Sequence, residues 1–109
     1  MSGMSSDDYQ ILIPPSFLAL YLPPGRIKPT APRDEIASRY GWCEDLAQTL
    51  TETAGATQFK LGLAEADVLE RIGRGLRGGE AGVSDAEATW VLRRLAELLG
   101  WEDPGPGAP

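Results

Sequence analysis

The chain has 109 residues, of which 42% are hydrophobic and 24% are charged, and its formal net charge is −6 at pH 7. This length predicts one domain with flanking tails. The acidic balance disfavours binding to nucleic acid or to an anionic membrane, because such binding depends on Lys and Arg neutralising phosphate. The sequence contains no histidine, so the commonest general base and metal ligand is missing. Its single cysteine, Cys43, cannot form an intramolecular disulfide.

Residues 1–9 are small and polar, and we expect them to form a loose tail. They lack the basic stretch of a secretory signal, and prolines interrupt the apolar run that follows. The sequence therefore predicts neither a signal peptide nor a membrane span, and we expect a cytoplasmic protein.

Residues 10–29 form an apolar arm that is rich in proline. Eight large apolar or aromatic residues lie between positions 11 and 22, and two Pro-Pro pairs prevent a continuous helix. The arm is predicted to be extended or partly helical, with Ser16 as the cap of one or two helical turns. Such a segment must be buried against the protein itself, a second copy or a partner. We expect at least half of it to pack on its own helices or on those of a twin.

Residues 30–101 are predicted to form an all-α domain, a bundle of three helices at about 31–60, 65–77 and 84–99. Thr30 is the predicted N-cap of the first helix, with Pro32 in its first turn, and Gly62 is predicted to end it. Phe59 and Leu61 are predicted to continue its apolar side. That side shows the three- and four-residue spacing of a single helical face, and it consists of Ile36, Tyr40, Cys43, Ala47, Leu50 and Ala54.

The second and third helices also have clear boundaries and apolar faces. The second is predicted to end at Gly78 and Gly79 and to bury Val68, Leu69, Ile72 and Leu76. The third is predicted to open on a capping box between Ser84 and Glu87 and to close at Gly100. Its predicted buried face consists of Ala88, Val91, Leu92, Leu95 and Leu98 or Leu99. Residues 102–109 are predicted to form a disordered tail with no means of packing.

The segment 73–82 is rich in glycine and arginine. Gly73, Gly75 and Gly78 have the spacing of a dinucleotide-binding motif, but that motif works between a strand and the start of a helix, whereas this one trails a predicted helix. No lysine follows to complete a phosphate loop. The nearby row of arginines could hold an anion or an acidic partner through forked hydrogen bonds. The alternative is that these arginines form a solvated helix face and pair with nearby glutamates. The row consists of Arg71, Arg74 and Arg77.

The candidates for contact with a protein partner are residues of the arm and one tryptophan. Trp42 lies beside the apolar face of the first helix, where a large aromatic residue serves either as an interface anchor or as cover for the arm. Within the arm, we expect the exposed part at about residues 21–26. The full candidate set is Phe17, Leu20, Tyr21, Leu22, Arg26 and Trp42. We predict no catalytic residue, no cofactor and no metal ligand.

Four motifs carry a resemblance to known proteins: Ile13-Pro14-Pro15-Ser16-Phe17, Pro23-Pro24-Gly25-Arg26, Asp67-Val68-Leu69-Glu70-Arg71-Ile72 and Gly79-Glu80-Ala81-Gly82-Val83-Ser84. Over about residues 11–103 the chain resembles a family of small bacterial proteins, mostly proteobacterial, sometimes labelled "ATPase with chaperone activity". The resemblance implies association with a chaperone or another partner. It does not extend to ATP hydrolysis, because the chain lacks a phosphate loop and is too short for an ATPase fold.

The sequence therefore favours a small, acidic, non-enzymatic interaction or regulatory protein. We expect it to act by binding a protein partner or by self-association, for example as a homodimer that exchanges arms or pairs its first helices. The alternative is a nucleotide-linked accessory protein that uses the segment 73–82.

Overall fold

The computed structural model describes residues 12–22, 25 and 28–105. The predicted tail at 1–9, the arm residues Ile11 and Arg26, and the last four residues lie outside this part of the chain. The chain divides into two compact units, Met1–Tyr40 and Gly41–Pro109, and the boundary lies inside the longest helix. Every regular element of the described residues is helical, which confirms the predicted all-α class.

In the first unit, the arm contains a short helix α1, Pro15–Leu18, followed by a 3₁₀ turn at Ala19–Tyr21. The predicted cap is wrong, because Ser16 is the second residue of α1 and no side chain caps the helix. The carbonyl of Pro14 instead accepts hydrogen bonds from the backbone N–H groups of Phe17 and Leu18, at 2.9 and 3.0 Å. Pro15 suits the first helical position because its ring fixes φ and its missing N–H needs no partner there.

The longest helix, α2, spans Arg33–Leu61. Thr30 is not its N-cap, because the first intrahelical carbonyl belongs to Pro32, which accepts from Ile36 N–H at 3.0 Å. Pro32 therefore precedes the helix. The backbone N–H of Thr30 donates to the carbonyl of Tyr21 at 2.6 Å, which ties the end of the arm to the segment that leads into α2.

The second unit consists of α2 from Gly41 onward, α3 at Glu65–Arg77 and α4 at Asp85–Leu99. The three predicted helices thus begin and end within two residues of the expected positions. Helices α3 and α4 run antiparallel, because Arg77 at the end of α3 hydrogen-bonds Thr89 near the start of α4. The buried hydrophobic side chains of this unit are Cys43, Ala47, Ala54, Val68, Leu69, Ile72, Leu76, Ala88, Trp90, Val91, Leu92, Leu95 and Ala96.

The boundaries of α4 follow the predicted local chemistry. Ser84 Oγ accepts from Glu87 N–H at 3.1 Å, and Glu87 Oε1 accepts from Ser84 N–H at 2.9 Å, which completes the capping box. At the other end Gly100 adopts a left-handed conformation with φ of 73°, and Trp101 N–H donates to the Ala96 carbonyl at 2.8 Å. This bond, with that from Gly100 N–H to the Glu97 carbonyl, forms a Schellman motif.

Candidate functional site

The arm residue Phe17 lies in the core of the first unit. Its side chain is fully buried, and its ring centroid lies 5.7 Å from that of Tyr21 and 5.6 Å from that of Tyr40 on α2. The contact with Tyr40 is edge-on, a geometry that aromatic pairs prefer. Phe17 was a candidate for partner contact, but its ring is already enclosed by its own chain and presents no surface to a partner.

The other described arm candidates are more accessible. Leu20 and Tyr21 are half-buried, and Leu22 is exposed. Before the short helix, Ile13 is buried, whereas Leu12 is exposed. The arm therefore combines apolar residues that pack with apolar residues that face solvent, and Leu22 is the most exposed of the described arm candidates.

Trp42 is half exposed and is also held by a hydrogen bond. Its indole Nε1–H donates to the carbonyl of Ala81 at 3.2 Å, and this bond joins α2 to the loop between α3 and α4. The residue as a whole is 51% exposed. Trp42 thus joins two parts of the second unit and remains half exposed.

The predicted arginine row lies on the exposed surface of α3, but the structure gives its members different partners. Arg74 forms an ion pair with Glu70 at 3.4 Å, and Arg77 Nη2 donates to Thr89 Oγ1 at 2.8 Å. Arg71 is exposed and has no hydrogen bond or ion pair within the described residues. Two of the three guanidinium groups therefore already bind other side chains of the protein. The three groups are not directed at one common position where an anion could bind.

The glycine spacing at 73–78 does not form a phosphate-binding loop. Gly73 and Gly75 lie within α3, and the turn that follows leads to α4 with no strand among the described residues. Gly73 has a packing role, because a Cβ at this position would lie 2.8 Å from Leu92 Cδ1. The glycine lets α3 and α4 approach closely.

The largest departure from the predicted faces occurs at the end of α2. Phe59 is 92% exposed and Leu61 is 47% exposed, so the prediction that they continue the buried side is wrong. Phe59 follows the buried Ala54 by five positions, which places it about 140° around the helix, on the opposite side. Counting positions on a 3.6-residue period would have found this from the sequence alone.

A groove of about 800 Å³ lies beside α3 in the second unit. Residues of α3, Leu92 of α4 and the segment 102–104 line it. Leu69 and Leu92 lie beneath it and are only 2% and 7% exposed, so they present almost no apolar surface to the groove. Five carboxylates and two guanidinium groups also line the groove: Glu65, Asp67, Glu70, Glu102, Asp103, Arg74 and Arg77.

The segment 102–104, which forms one wall of this groove, contacts α4 through an exposed ion pair. Asp103 accepts three hydrogen bonds from the Arg93 guanidinium, at 2.8 to 3.3 Å, and a further one from Gly105 N–H at 2.8 Å. The Arg93 guanidinium lowers the pKa of the Asp103 carboxyl. This part of the chain was predicted to have no means of packing, and the bidentate pair with Arg93 supplies one.

Within the described residues, no group of three or more Cys, Asp or Glu side chains is arranged to hold a metal ion. The same residues include no helix long and apolar enough to cross a membrane. Comparison with protein-family models, with curated proteins and with solved structures finds no match.

Proposed function

We propose that this protein is a non-enzymatic protein-binding protein, and that the C-terminal end of α2 is one of its contact surfaces. The observation that carries the proposal is Phe59, an aromatic side chain that is 92% exposed. Burying a phenylalanine is worth about 1.5–3 kcal/mol, so the free protein forgoes a large stabilisation at this position.

The surroundings of Phe59 also favour an interface. Leu61 is half exposed two residues later, and Leu63 is partly buried in the short connection to α3. Aromatic residues are enriched at the centres of protein interfaces. A cluster of exposed apolar residues indicates an interaction site more strongly than a single one does. The resemblance to bacterial proteins sometimes labelled "ATPase with chaperone activity" suggests association with a chaperone or another partner.

Capture from lysate of the native cell tests this proposal with tagged wild-type protein and Phe59→Ser. We expect wild type to retain at least one protein that Phe59→Ser loses, or to self-associate in analytical ultracentrifugation where Phe59→Ser is monomeric. Lys60→Ser is the matched control, because Lys60 is adjacent and exposed but contributes no comparable apolar surface. Thermal unfolding should show that wild type, Phe59→Ser and Lys60→Ser are all folded, since the exposed Phe59 side chain makes few contacts within the protein. Identical partners and identical mass for wild type and Phe59→Ser would contradict the proposal.

A further inference from the structure

We propose that two copies of this chain exchange their arms, so that α1 of each copy packs on α2 of the other. The receiving surface is the part of α2 that holds Phe17 beside Tyr40. The inference rests on the proposed function in that the bound molecule is a protein, here a second copy. It concerns the first unit and does not use Phe59, so the two proposals can fail separately.

The contact between the arm and α2 identifies the segment that fits the receiving surface. Phe17 is fully buried, and its ring meets that of Tyr40 edge-on with centroids 5.6 Å apart. Ile13 of the arm is buried, and so is Ile36, which lies one helical turn before Tyr40 on the same face of α2. A second copy carries the same arm and the same α2 surface. Exchange therefore forms these contacts twice, in a closed two-fold dimer.

The hinge between the arm and α2, residues 22–29, begins and ends at neighbouring points. The backbone N–H of Thr30 donates to the Tyr21 carbonyl at 2.6 Å, which joins the two residues that flank the hinge. Within the hinge, Gly25 adopts a left-handed conformation with φ of 78°. Residues other than glycine disfavour this conformation, because their Cβ comes too close to the following carbonyl oxygen. The return of the hinge within a single chain therefore relies on glycine at position 25.

The composition of the hinge opposes that return. Three of its eight residues are proline: Pro23, Pro24 and Pro29. A proline-rich chain prefers the extended polyproline conformation, which rises about 3.1 Å per residue and does not bring its ends together. Strained hinges favour domain exchange, because the hinge relaxes in the dimer while the arm keeps its contacts on the second copy.

The extended hinge is long enough to bring the arm to a neighbouring copy. Eight residues in the polyproline conformation span about 25 Å. A helix with its side chains is about 10–12 Å across, so the arm can reach the α2 helix of a copy that lies alongside. The dimer needs no apolar surface beyond the one that Phe17 fills, and it therefore does not depend on an exposed patch.

Analytical ultracentrifugation of the full chain, refolded from urea at a series of concentrations, tests the proposal. We expect wild type to dimerise as concentration rises. Gly25→Val should lower the dimer dissociation constant at least about tenfold, because valine opposes the left-handed turn and each dimer opens two such turns. Gly82→Val is the matched control. Gly82 also has a positive φ of 71°, and a Cβ there would likewise meet nothing within 4 Å, but it lies between α3 and α4 and should not change dimerisation.

Replacing the first proline pair of the hinge should act in the opposite direction. Pro23→Ala combined with Pro24→Ala lets the hinge return more readily within one chain, so it should raise the dissociation constant at least about threefold. Pro104→Ala removes a proline outside the hinge and should dimerise as wild type does. Opposite shifts from the glycine and the proline variants would identify the hinge as the element that controls association.

Isotope-filtered NMR distinguishes exchange from side-by-side association. Isotopically labelled and unlabelled chains are unfolded together and refolded at a concentration that gives dimer. We expect nuclear Overhauser contacts between the Phe17 ring of one copy and the Tyr40 ring of the other, because exchange places these rings as close as they are within one chain. Side-by-side association would give this contact within each copy alone.

Three outcomes would overturn the proposal. The first is a chain that stays monomeric at every concentration, and the second is a dissociation constant that the hinge variants change no more than their controls do. The third is a dimer without contacts between Phe17 and Tyr40 of different copies. Phe59→Ser should dimerise as wild type does. Loss of partner capture by Phe59→Ser in a chain that does not exchange its arm would leave the proposed function standing and reject the exchange.

Discussion

Arg94 on α4 binds Glu44 on α2 through two charge-assisted hydrogen bonds. Its Nε donates to Oε1 at 2.9 Å and its Nη2 donates to Oε2 at 3.0 Å, across 50 residues of sequence. The two side chains are only 30% and 18% exposed. Gln48 donates a further hydrogen bond to Glu44, and Glu97 accepts one from Arg94. The pair is more enclosed than the ion pairs of Arg74 with Glu70 and of Arg93 with Asp103, and it joins two helices of the second unit.

Replacing Arg94 should destabilise the protein. Arg94→Met keeps much of the aliphatic stem but leaves the Glu44 carboxylate partly buried without its main partner, which should cost about 1–3 kcal/mol in the free energy of unfolding. Arg93→Met is the matched control, because Arg93 pairs with Asp103 on the surface and should change stability little. Urea unfolding at pH 7 measures both. An equal loss of unfolding free energy in Arg94→Met and Arg93→Met would show that the partial burial of the Arg94 pair does not add to stability.

The same pair predicts a dependence of stability on pH. The hydrogen bond from Arg94 lowers the pKa of the Glu44 carboxyl from its ordinary value of 4.5. A lowered pKa in the folded state means that the unfolded chain binds the proton more tightly. The resulting stabilisation is complete above about pH 4.5, and it disappears as the pH falls through the lowered value.

The difference in unfolding free energy between wild type and Arg94→Met should therefore be largest near pH 7 and should shrink in acid. Unfolding curves at a series of pH values from 7 down to 3 measure it. Arg93→Met again serves as the control, since the Asp103 pKa is lowered in the same direction but at an exposed pair that added salt should screen. A difference that stays constant over this range would contradict the assignment to Glu44.

The capping box at the start of α4 should contribute measurably to stability. Ser84→Ala removes the acceptor for Glu87 N–H, which should cost about 0.5–2 kcal/mol, whereas Ser84→Gly should cost only a few tenths. Ser38→Ala is the control, because Ser38 is exposed within α2, where alanine is the better helix former. Thermal unfolding compares the three. A loss for Ser38→Ala as large as that for Ser84→Ala would refute a specific capping effect.

The predictions from sequence succeeded where short-range chemistry decides the structure. Ser84 with Glu87, and Gly100 with Trp101, act on residues within five positions of themselves, so their capping roles could be read from the sequence. Thr30 was misassigned because α2 begins at Arg33, after Pro32, while the backbone N–H of Thr30 donates to the carbonyl of Tyr21, nine residues away. A local pattern contains no information about that partner.

The candidate site was less predictable for a related reason. The groove depends on where the segment 102–104 lies relative to α3, and that position follows from tertiary contacts such as the pair of Asp103 with Arg93. Phe17 illustrates the same limit: its apolar character was evident, but only the packing of Tyr40 and Tyr21 against its ring decides that it is buried. By contrast, the exposure of Phe59 was accessible from helical geometry.

Two glycines in α3, two positions apart, should respond in opposite ways to alanine. At Gly75 a Cβ would meet nothing within 4 Å, so Gly75→Ala should stabilise the helix by about 1 kcal/mol. At Gly73 a Cβ would lie 2.8 Å from Leu92 Cδ1 and 2.9 Å from Arg77 Nη1. The same gain in helix propensity is there opposed by overpacking, which typically costs about 1–3 kcal/mol. We expect Gly73→Ala to be at least about 1 kcal/mol less stable than Gly75→Ala.

Trimming the facing side chain separates overpacking from other effects at Gly73. Leu92→Val shortens the side chain that a Cβ at position 73 would meet, so it should cost less in the Gly73→Ala background than in wild type. With Gly75→Ala as the background, the cost of Leu92→Val should equal that in wild type, because Gly75 has no neighbour within 4 Å. Urea unfolding of these six proteins gives both coupling energies. Additive effects at Gly73 and Leu92 would show that the close approach of α3 and α4 is not what requires glycine at position 73.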